Sequence, residues 1–483
     1  MSEFIARGMG LHYPPDRRVD LQRGLAGAAR EFGIDDIATC VDWLLSGPPT
    51  KAQWQVLASH LTIGETYFFR DRPTLDALTG HILPELIRLR RGRTQRLRIR
   101  SAACCSGEEP YSLAILLHRM LPDLKDWHVT ITATDINARF LHTAAAGIFR
   151  EWSFRDVPAA EKARYFTRTA DGRYAIIPEI RKMVTFAHLN LVEDAYPSLM
   201  TDTNAMDLIF CRNVLMYFAA DPMHKVIGKL HRCLVEGGWL AVSPSEASKA
   251  LFPQFATVNF PGAILFQKKD AARASAAAAP APVPAALVPE VVAPAPAPAQ
   301  VPAPPLQAHS DRNAAFDDMA AAQALYRAGD YAQAAAALLA MNETSPLAPE
   351  ACSLLARALA NQGNLAPARE WCERWIAVAK MDAAARYLRG IILLEQGDGD
   401  EAHAALQRAL YLDHDFVLAH VALGNLARSR GKARAADKHF ANALQLLHGF
   451  QPEEILPESD GLTAGRLTET LTSMTDAGDR DGK

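Results

Sequence analysis

Apolar positions recur at helical spacing through Val19–Leu25 and again at Ile37, Val41, Leu44 and Leu45, until Gly47-Pro48-Pro49 breaks the chain. A further helix runs from Lys51 to His60, so residues 1–75 read as helical. From Leu97 the period shortens. The run LRIRSA alternates as a strand, ends at Ser106-Gly107, and passes into Glu108, Glu109, Pro110 and an apolar helix through Leu113, Leu116 and Leu117. Pro110 suits a first helical turn, and the two acids sit where a helix N-terminus favours negative charge. HVTITATDI, residues 128–136, is a second alternating strand that ends at Asp135. MDLIFCRNVLMYF, residues 206–218, is a buried strand, then the polar pair Arg212-Asn213, then a helix carrying Tyr217. Gly237-Gly238 turns into WLAVSPSE, and AILFQKK closes this half near Lys269. Residues 148–189 differ in character, because Asp171-Gly172 between apolar runs is a hairpin signal. They predict a small antiparallel insert that includes MVTFAHLNL and is closed by Asn190 and Leu191. Strand-helix alternation of this kind predicts an α/β class, with a helical N-terminal domain (1–75) and a Rossmann-like, doubly wound domain (76–269).

The remainder follows another rule. Residues 271–309 are almost entirely Ala, Pro and Val, cannot build a core, and predict an extended linker over 270–310. At about 3.1 Å per residue such a linker reaches on the order of 100 Å. Gly329, Gly363, Gly397 and Gly431 then recur every 34 positions, each followed five residues later by Ala334, Ala368, Ala402 or Ala436. Small residues also precede each glycine by seven positions, at Ala322, Ala356, Gly390 and Gly424. Residues 311–450 thus strongly resemble tetratricopeptide repeats, an all-α superhelix that binds a protein partner, here unidentified. Residues 451–483 are polar and are expected to be a disordered tail.

A chain of 483 residues is too long for one core, which agrees with this division. The net charge of −3 and the absence of a long basic block argue against nucleic acid. No run of about 18 apolar residues exists to cross a membrane, and the N-terminus carries no signal-peptide pattern. The seven cysteines have no metal spacing, so no metal is expected and the chain reads as reduced and cytoplasmic.

Candidate chemistry gathers at the strand ends. The turn after the first strand holds only one glycine, Gly107, so the dinucleotide fingerprint is missing. Glutamate beside that turn suits a ligand with ribose hydroxyls and a positive charge, such as S-adenosylmethionine, against the alternative of an ordinary crossover. Asp135 is placed to accept from ribose hydroxyls or, alternatively, to cap the next helix. Phe68 and Phe69 read as core. Arg70 and Asp71 lie at its edge, where a guanidinium could orient a carboxylate, the competing reading being a surface ion pair. Arg17, Arg18, Arg23 and Arg30 make either a basic docking face or a solvated one.

The first 269 residues resemble a CheR-type chemotaxis-receptor methyltransferase. The motifs ETYFFRD, CSGEEPYSLA, ATDI, HLNL and FCRNVLMYF, in that order, carry the likeness. The resemblance implies S-adenosylmethionine-dependent O-methylation of glutamates on methyl-accepting chemotaxis-type receptors, with S-adenosylhomocysteine as product. It implies cofactor contacts at Thr66, Arg70, Glu108, Asp135, Asn190, Leu191, Arg212 and Asn213, and a catalytic pair of Arg70 and Tyr217. Gly64 departs from the asparagine many members carry, so that hydrogen bond is lost or comes from backbone. The hairpin at Asp171-Gly172 is short, so no tether to a receptor peptide is expected. The competing class is an interaction scaffold whose methyltransferase-like domain binds ligand without turnover. A nicotinamide-dependent oxidoreductase fails on the missing glycines, and the appended repeats disfavour a small-molecule acid as methyl acceptor.

Overall fold

The computed structural model describes residues 1–193, 196–199, 201–269, 310–459 and 461–478. The linker expected over 270–310 lies outside the described residues, save its last position.

Four helices form the N-terminal region: α1 (Ser2–Met9), α2 (Arg18–Glu31), α3 (Ile37–Leu45) and α4 (Lys51–Leu61). Two of their starts are set by side chains. Asp36 accepts from the Thr39 N–H, and Thr50 with Gln53 forms a reciprocal capping box. Gly24 and Gly27 let α2 lie close to α4, since a Cβ at Gly27 would stand 2.5 Å from His60 Nδ1. The apolar faces enclose Ile5, Met9, Leu25, Leu44 and Leu57, and this cluster extends onto Ile136, Tyr217 and Phe218 of the next domain.

Helices α5 (Arg72–Ala77) and α6 (Leu83–Arg90) lead into β1 (Arg96–Ala102), α7 (Glu108–Met120), β2 (His128–Asp135) and α8 (Ala138–Ala146). The insert follows as β3 (Ile148–Phe149), α9 (Ala159–Tyr165), β4 (Phe166–Arg168) and β5 (Tyr174–Ile176), a sheet of order β3-β5-β4. It is anchored by Phe149, Phe154 and Phe166, whose rings surround Phe68 at 4.8–5.1 Å. After α10 (Pro178–Arg181) come β6 (Val184–His188), β7 (Met206–Phe210), α11 (Ala220–Cys233), β8 (Leu234–Ala241), β9 (Phe255–Phe260) and β10 (Ala263–Lys268).

The main sheet runs β6-β2-β1-β7-β8-β10-β9. Its first five strands are parallel and the last two form an antiparallel hairpin. The chain moves outward from β1 to β2 and β6, then returns to the other side of β1 with β7. The strand order therefore reverses between β1 and β7, and a crevice opens at their carboxyl ends. One expectation is corrected here. The MVTFAHL segment is not part of the insert, because β6 pairs in parallel with β2 from Ile131↔Val184 to Asp135↔His188. An edge strand covered on one face alternates just as a hairpin strand does.

The C-terminal region is four helical hairpins, beginning with Ser310–Ala328 and Tyr331–Thr344 and ending with Val417–Ser429 and Ala433–Leu447. All four turn glycines have positive φ, from +71° to +85°. Gly424 is also required by packing, since a Cβ there would lie 2.4 Å from Phe440 Cε1. For residues 451–459 and 461–478 the expected disordered tail is a second correction. Ala464–Gly478 is helical, and Leu456, Leu462, Leu467 and Leu471 are buried against the repeats. Sparse leucines in a polar segment suffice when a finished superhelix offers an apolar end to cover them.

The repeats are mounted on the amino ends of the strands. Gly363 lies against Ala205 and Val235, and Gly397 against His128 at the start of β2. Glu395 accepts from both Arg96 and Arg98 of β1, and Arg98 also pairs with Asp202. Burial pushes the Glu395 carboxyl up, but Arg98 and Arg96 more than offset this and hold it below its usual range. Removing one partner from such a buried cluster typically costs about 3–5 kcal/mol. Glu395→Ala is therefore expected to lower the thermal midpoint and to enlarge the radius in small-angle scattering. An unchanged radius and midpoint would contradict the clamp. Because the folded pKa is depressed, this stabilisation is complete above 4.5 and is lost as pH falls through the folded value.

Candidate active site

At the β1 carboxyl end the backbone bends sharply through left-handed conformations at Ala103 (φ +63°), Cys105 (+50°) and Gly107 (+97°). Gly107 is obligatory, since a Cβ would stand 2.9 Å from that of Ala144. Asp135 holds the bend. One carboxylate oxygen accepts the Cys105 N–H at 2.9 Å, and the other accepts that of Asn137 at 2.8 Å. Burial nevertheless raises the Asp135 carboxyl above its usual value, with those N–H groups opposing. Cys104 and Cys105 are also raised by burial, Cys105 to about 12, so both thiols stay protonated and are poor nucleophiles.

Across the crevice, two residues past the end of β7, the Arg212 guanidinium reaches Asp71 at 3.1 Å and Glu109 at 3.3 Å. Asp71 is thereby committed to Arg212 rather than to its neighbour Arg70. Arg70 donates to the Glu65 carbonyl at 2.7 Å and, among the described residues, pairs with no carboxylate. The surface ion pair considered for Arg70-Asp71 is thus not formed. Asn213 has φ +58°, and Tyr217 follows in a short 3₁₀ turn, Leu215–Tyr217. The N-terminal region roofs this turn: the His12 N–H donates to the Tyr217 carbonyl at 2.7 Å, and Leu11 bridges to Phe218. The Arg17 guanidinium lies 5.3 Å from the Tyr217 ring centre and 5.4 Å from that of Tyr13.

These groups line one open cleft. Thr66, Arg70, Asp135, Asn190, Leu191, Arg212, Asn213 and Tyr217 all line it. Glu108 does not. Its carboxylate turns to the Ser106 and Ser153 hydroxyls, while Glu109 faces the cleft and accepts from Ser101. Burial raises both acids, opposed at Glu109 by Arg212 and at Glu108 by Ser106. Gly64 backs onto Phe140, whose ring would stand 2.5 Å from a Cβ there, so Phe140 occupies the space a longer side chain would need. Asn190 donates to the Gly8 carbonyl and to Glu193, and Glu193 also pairs with Arg466 of the C-terminal helix. Sequence reasoning missed Glu109, Arg17 as a cleft residue, and Glu246, whose carboxylate accepts the Asn213 N–H at 2.8 Å. The basic run around Arg17 was a signal for the second of these; a lone glutamate after Ser243 carries none for the third.

A cleft at strand ends with Asp135 and Glu109 in its lining and apolar walls from Leu191, Val214 and Phe140 fits a ligand that joins a planar base, ribose hydroxyls and a positive charge. Residues 64–262 match the family described as CheR methyltransferase, SAM binding domain, and residues 325–392 match a tetratricopeptide repeat. Chemotaxis protein methyltransferase 1 of Pseudomonas aeruginosa is 37% identical over 220 residues, 44% of this chain and 77% of that protein. Chemotaxis protein methyltransferase 2 of Vibrio cholerae is 36% identical over 206 residues, 43% of this chain and 70% of that protein.

The chain belongs to the CheR methyltransferase family.

The probable biofilm formation methyltransferase WspC of P. aeruginosa is 29% identical over 388 residues, 79% of this chain and 83% of that protein. As a CheR-family member this chain is an S-adenosylmethionine-dependent methyltransferase of chemotaxis-type signalling, with appended tetratricopeptide repeats. Among the described residues no helix is long and apolar enough to cross a membrane.

Asp135→Ala is expected to weaken S-adenosylhomocysteine binding at least about tenfold by calorimetry, since a bidentate acceptor is lost and the β1 bend loosens. Because its carboxyl is raised above the usual 3.8, affinity should begin to fall on acidification at a higher pH than for an ordinary aspartate. Unaltered affinity in the variant would remove Asp135 from the site.

Proposed function

We propose that this enzyme methylates glutamate side chains of a methyl-accepting chemoreceptor, giving the methyl ester and S-adenosylhomocysteine. The observation that carries this reading is Arg70, a cleft-facing guanidinium that pairs with no carboxylate of the described residues while Tyr217 lines the same cleft. A cleft-facing guanidinium whose hydrogen bond goes to a backbone carbonyl rather than to a carboxylate suits an anionic acceptor. S-adenosylmethionine, when bound, supplies an electrophilic methyl group.

A glutamate carboxylate has a reference pKa of about 4.3, so the nucleophile arrives ionised and no general base is needed. What the chain must do is orient and desolvate it. Arg70 steers the carboxylate and fixes one oxygen toward the methyl. Tyr217 bounds the approach, with Arg17 over its ring adding positive potential beside the entrance. Asp135 receives ribose hydroxyls, and Glu109, facing inward, balances positive charge. Thr66, Asn190, Leu191, Arg212 and Asn213 complete the cofactor wall. Glu108 serves indirectly by tying α7 to the insert through Ser153.

The receptor is proposed to belong to a biofilm-type signalling system. The alignment with the biofilm formation methyltransferase spans 388 residues and so must run beyond the 269 of the catalytic half into the repeats. The repeats then serve recruitment or regulation by a protein partner. The alternative scaffold reading predicts cofactor binding without turnover.

Arg70→Ala should keep the fold and hold S-adenosylhomocysteine affinity within about tenfold, while methyl transfer to receptor fragments drops at least about 100-fold. Undiminished transfer would sink the assigned role, and absence of transfer by the parent enzyme would favour the scaffold.

A further inference from the structure

Glu246 is buried beneath the catalytic turn, on the loop that follows β8, with only 4% of its surface exposed. Its two oxygens are fully engaged. Oε2 accepts from the Asn213 N–H at 2.8 Å, the Ser243 N–H at 3.0 Å and the Ser243 hydroxyl at 2.5 Å. Oε1 accepts from the Val214 N–H at 2.8 Å and the Met216 N–H at 3.2 Å. Among the described residues no basic side chain forms an ion pair with it. A buried carboxylate neutralised by hydrogen-bond donors alone demands that those donors keep their geometry.

The donors are the backbone of the turn that carries Asn213 and Tyr217. Asn213 sits at φ +58°, a conformation that costs a non-glycine residue free energy unless its surroundings impose it. With the Asn213 and Val214 N–H groups both aimed at one carboxylate, the turn closes around it. The Met216 N–H then extends the grip into the 3₁₀ turn whose last residue is Tyr217. Ser243, also bound to Glu246, lies just past the end of β8, the strand paired with β7. The carboxylate thus links the ends of two neighbouring strands, and two of its donors, Asn213 and Val214, belong to residues that line the cleft.

We infer that Glu246 is a positioning residue for methyl transfer: by binding the Asn213, Val214 and Met216 N–H groups it sets the stance of Asn213 toward the cofactor and of Tyr217 toward the acceptor. It touches neither ligand and acts through the turn. The inference rests on the proposed roles of Asn213 and Tyr217. It distinguishes Glu246 from a general stabiliser, because its loss acts on the active site of molecules that remain folded.

The test uses the full chain and two substitutions. Glu246→Gln keeps the volume but replaces one acceptor with an amide donor facing N–H groups; Glu246→Asp keeps the charge but retracts it by one methylene. Per folded molecule, Glu246→Gln should lower kcat for methyl transfer at least about tenfold, since a misplacement of about 1 Å can cost up to 100-fold. It should also weaken S-adenosylhomocysteine binding, measured by calorimetry, while KM for the receptor fragment changes little. Glu246→Asp should recover part of kcat. Loss of activity only in proportion to the unfolded fraction, or kcat and affinity within about twofold of the parent, would overturn the inference. So would failure of both variants to fold, which would make Glu246 a folding residue. Asn213→Ala and Tyr217→Phe serve as controls: if both leave binding and turnover intact, it is the site reading that fails, whatever Glu246 does.

Discussion

The carboxyl ends of β1 and β7 must reverse direction within a few residues while leaving open space above them, and a buried carboxylate braces each reversal. Asp135 collects the N–H of Cys105 across the β1 bend. Glu246 collects three N–H groups from the β7 turn. Arg212, bound to Asp71 and Glu109, ties the second turn back to α7 and to the segment before α5. Of the residues that line the cleft, Phe69, Ala103, Cys105 and Asn213 all have positive φ without being glycine. Each such residue costs of order 1–3 kcal/mol, so the strain persists only because the bonds around it over-determine the backbone. The cost secures rigidity where an aligned methyl transfer needs it.

That dependence explains which site residues could be read from the sequence. Asp135, Arg212 and Asn213 fall at strand ends, which a doubly wound sheet brings together wherever the helices pack, while Asn190, Leu191 and Tyr217 were indicated by the family resemblance alone. Glu108 and Glu109 were different. Adjacent residues at a helix start point about 100° apart, so one faces the cleft and the other does not, and the choice depends on where the insert stands. Ser153 of the insert takes Glu108, leaving Glu109 for the cleft. Gly64 is similar: its lack of a side chain makes sense only beside Phe140, seventy-six positions away. Glu246 was illegible because all but one of its partners are backbone N–H groups, which leave no trace in composition or spacing.

The fold shows the same division. The repeat was legible through its 34-residue glycine period, since each glycine answers to a local positive φ. β6 was misread because an amphipathic strand does not state whether it joins a hairpin or a sheet edge. The tail was misread because its leucines are few and find their partners on the last repeat. Arg96, Arg98 and Arg100 alternate with Leu97 and Ile99 as though one face of β1 were solvated, yet Arg98 and Arg100 are wholly buried. Arg98 finds a partner in Glu395, nearly three hundred residues further on, and Arg100 lies over the Tyr196 ring.

That clamp gives the two halves a defined polarity. The candidate cleft lies at the carboxyl ends of the parallel strands, while the repeats sit at the amino ends, so the superhelix leaves the cleft open. A chain with a long linker and no docking would leave its repeats anywhere within reach of the domain. Here Arg96 and Arg98 supply a buried positive patch that only a carboxylate can satisfy at acceptable cost, and Glu395 satisfies it. The C-terminal helix reaches further round the domain, where Arg466 meets Glu193, the residue that also receives Asn190. One carboxylate therefore stands between the end of the repeat region and a wall of the cofactor cleft. Burial against the repeats keeps that helix in place, so the integrity of the superhelix and the stance of Asn190 are parts of one packing arrangement.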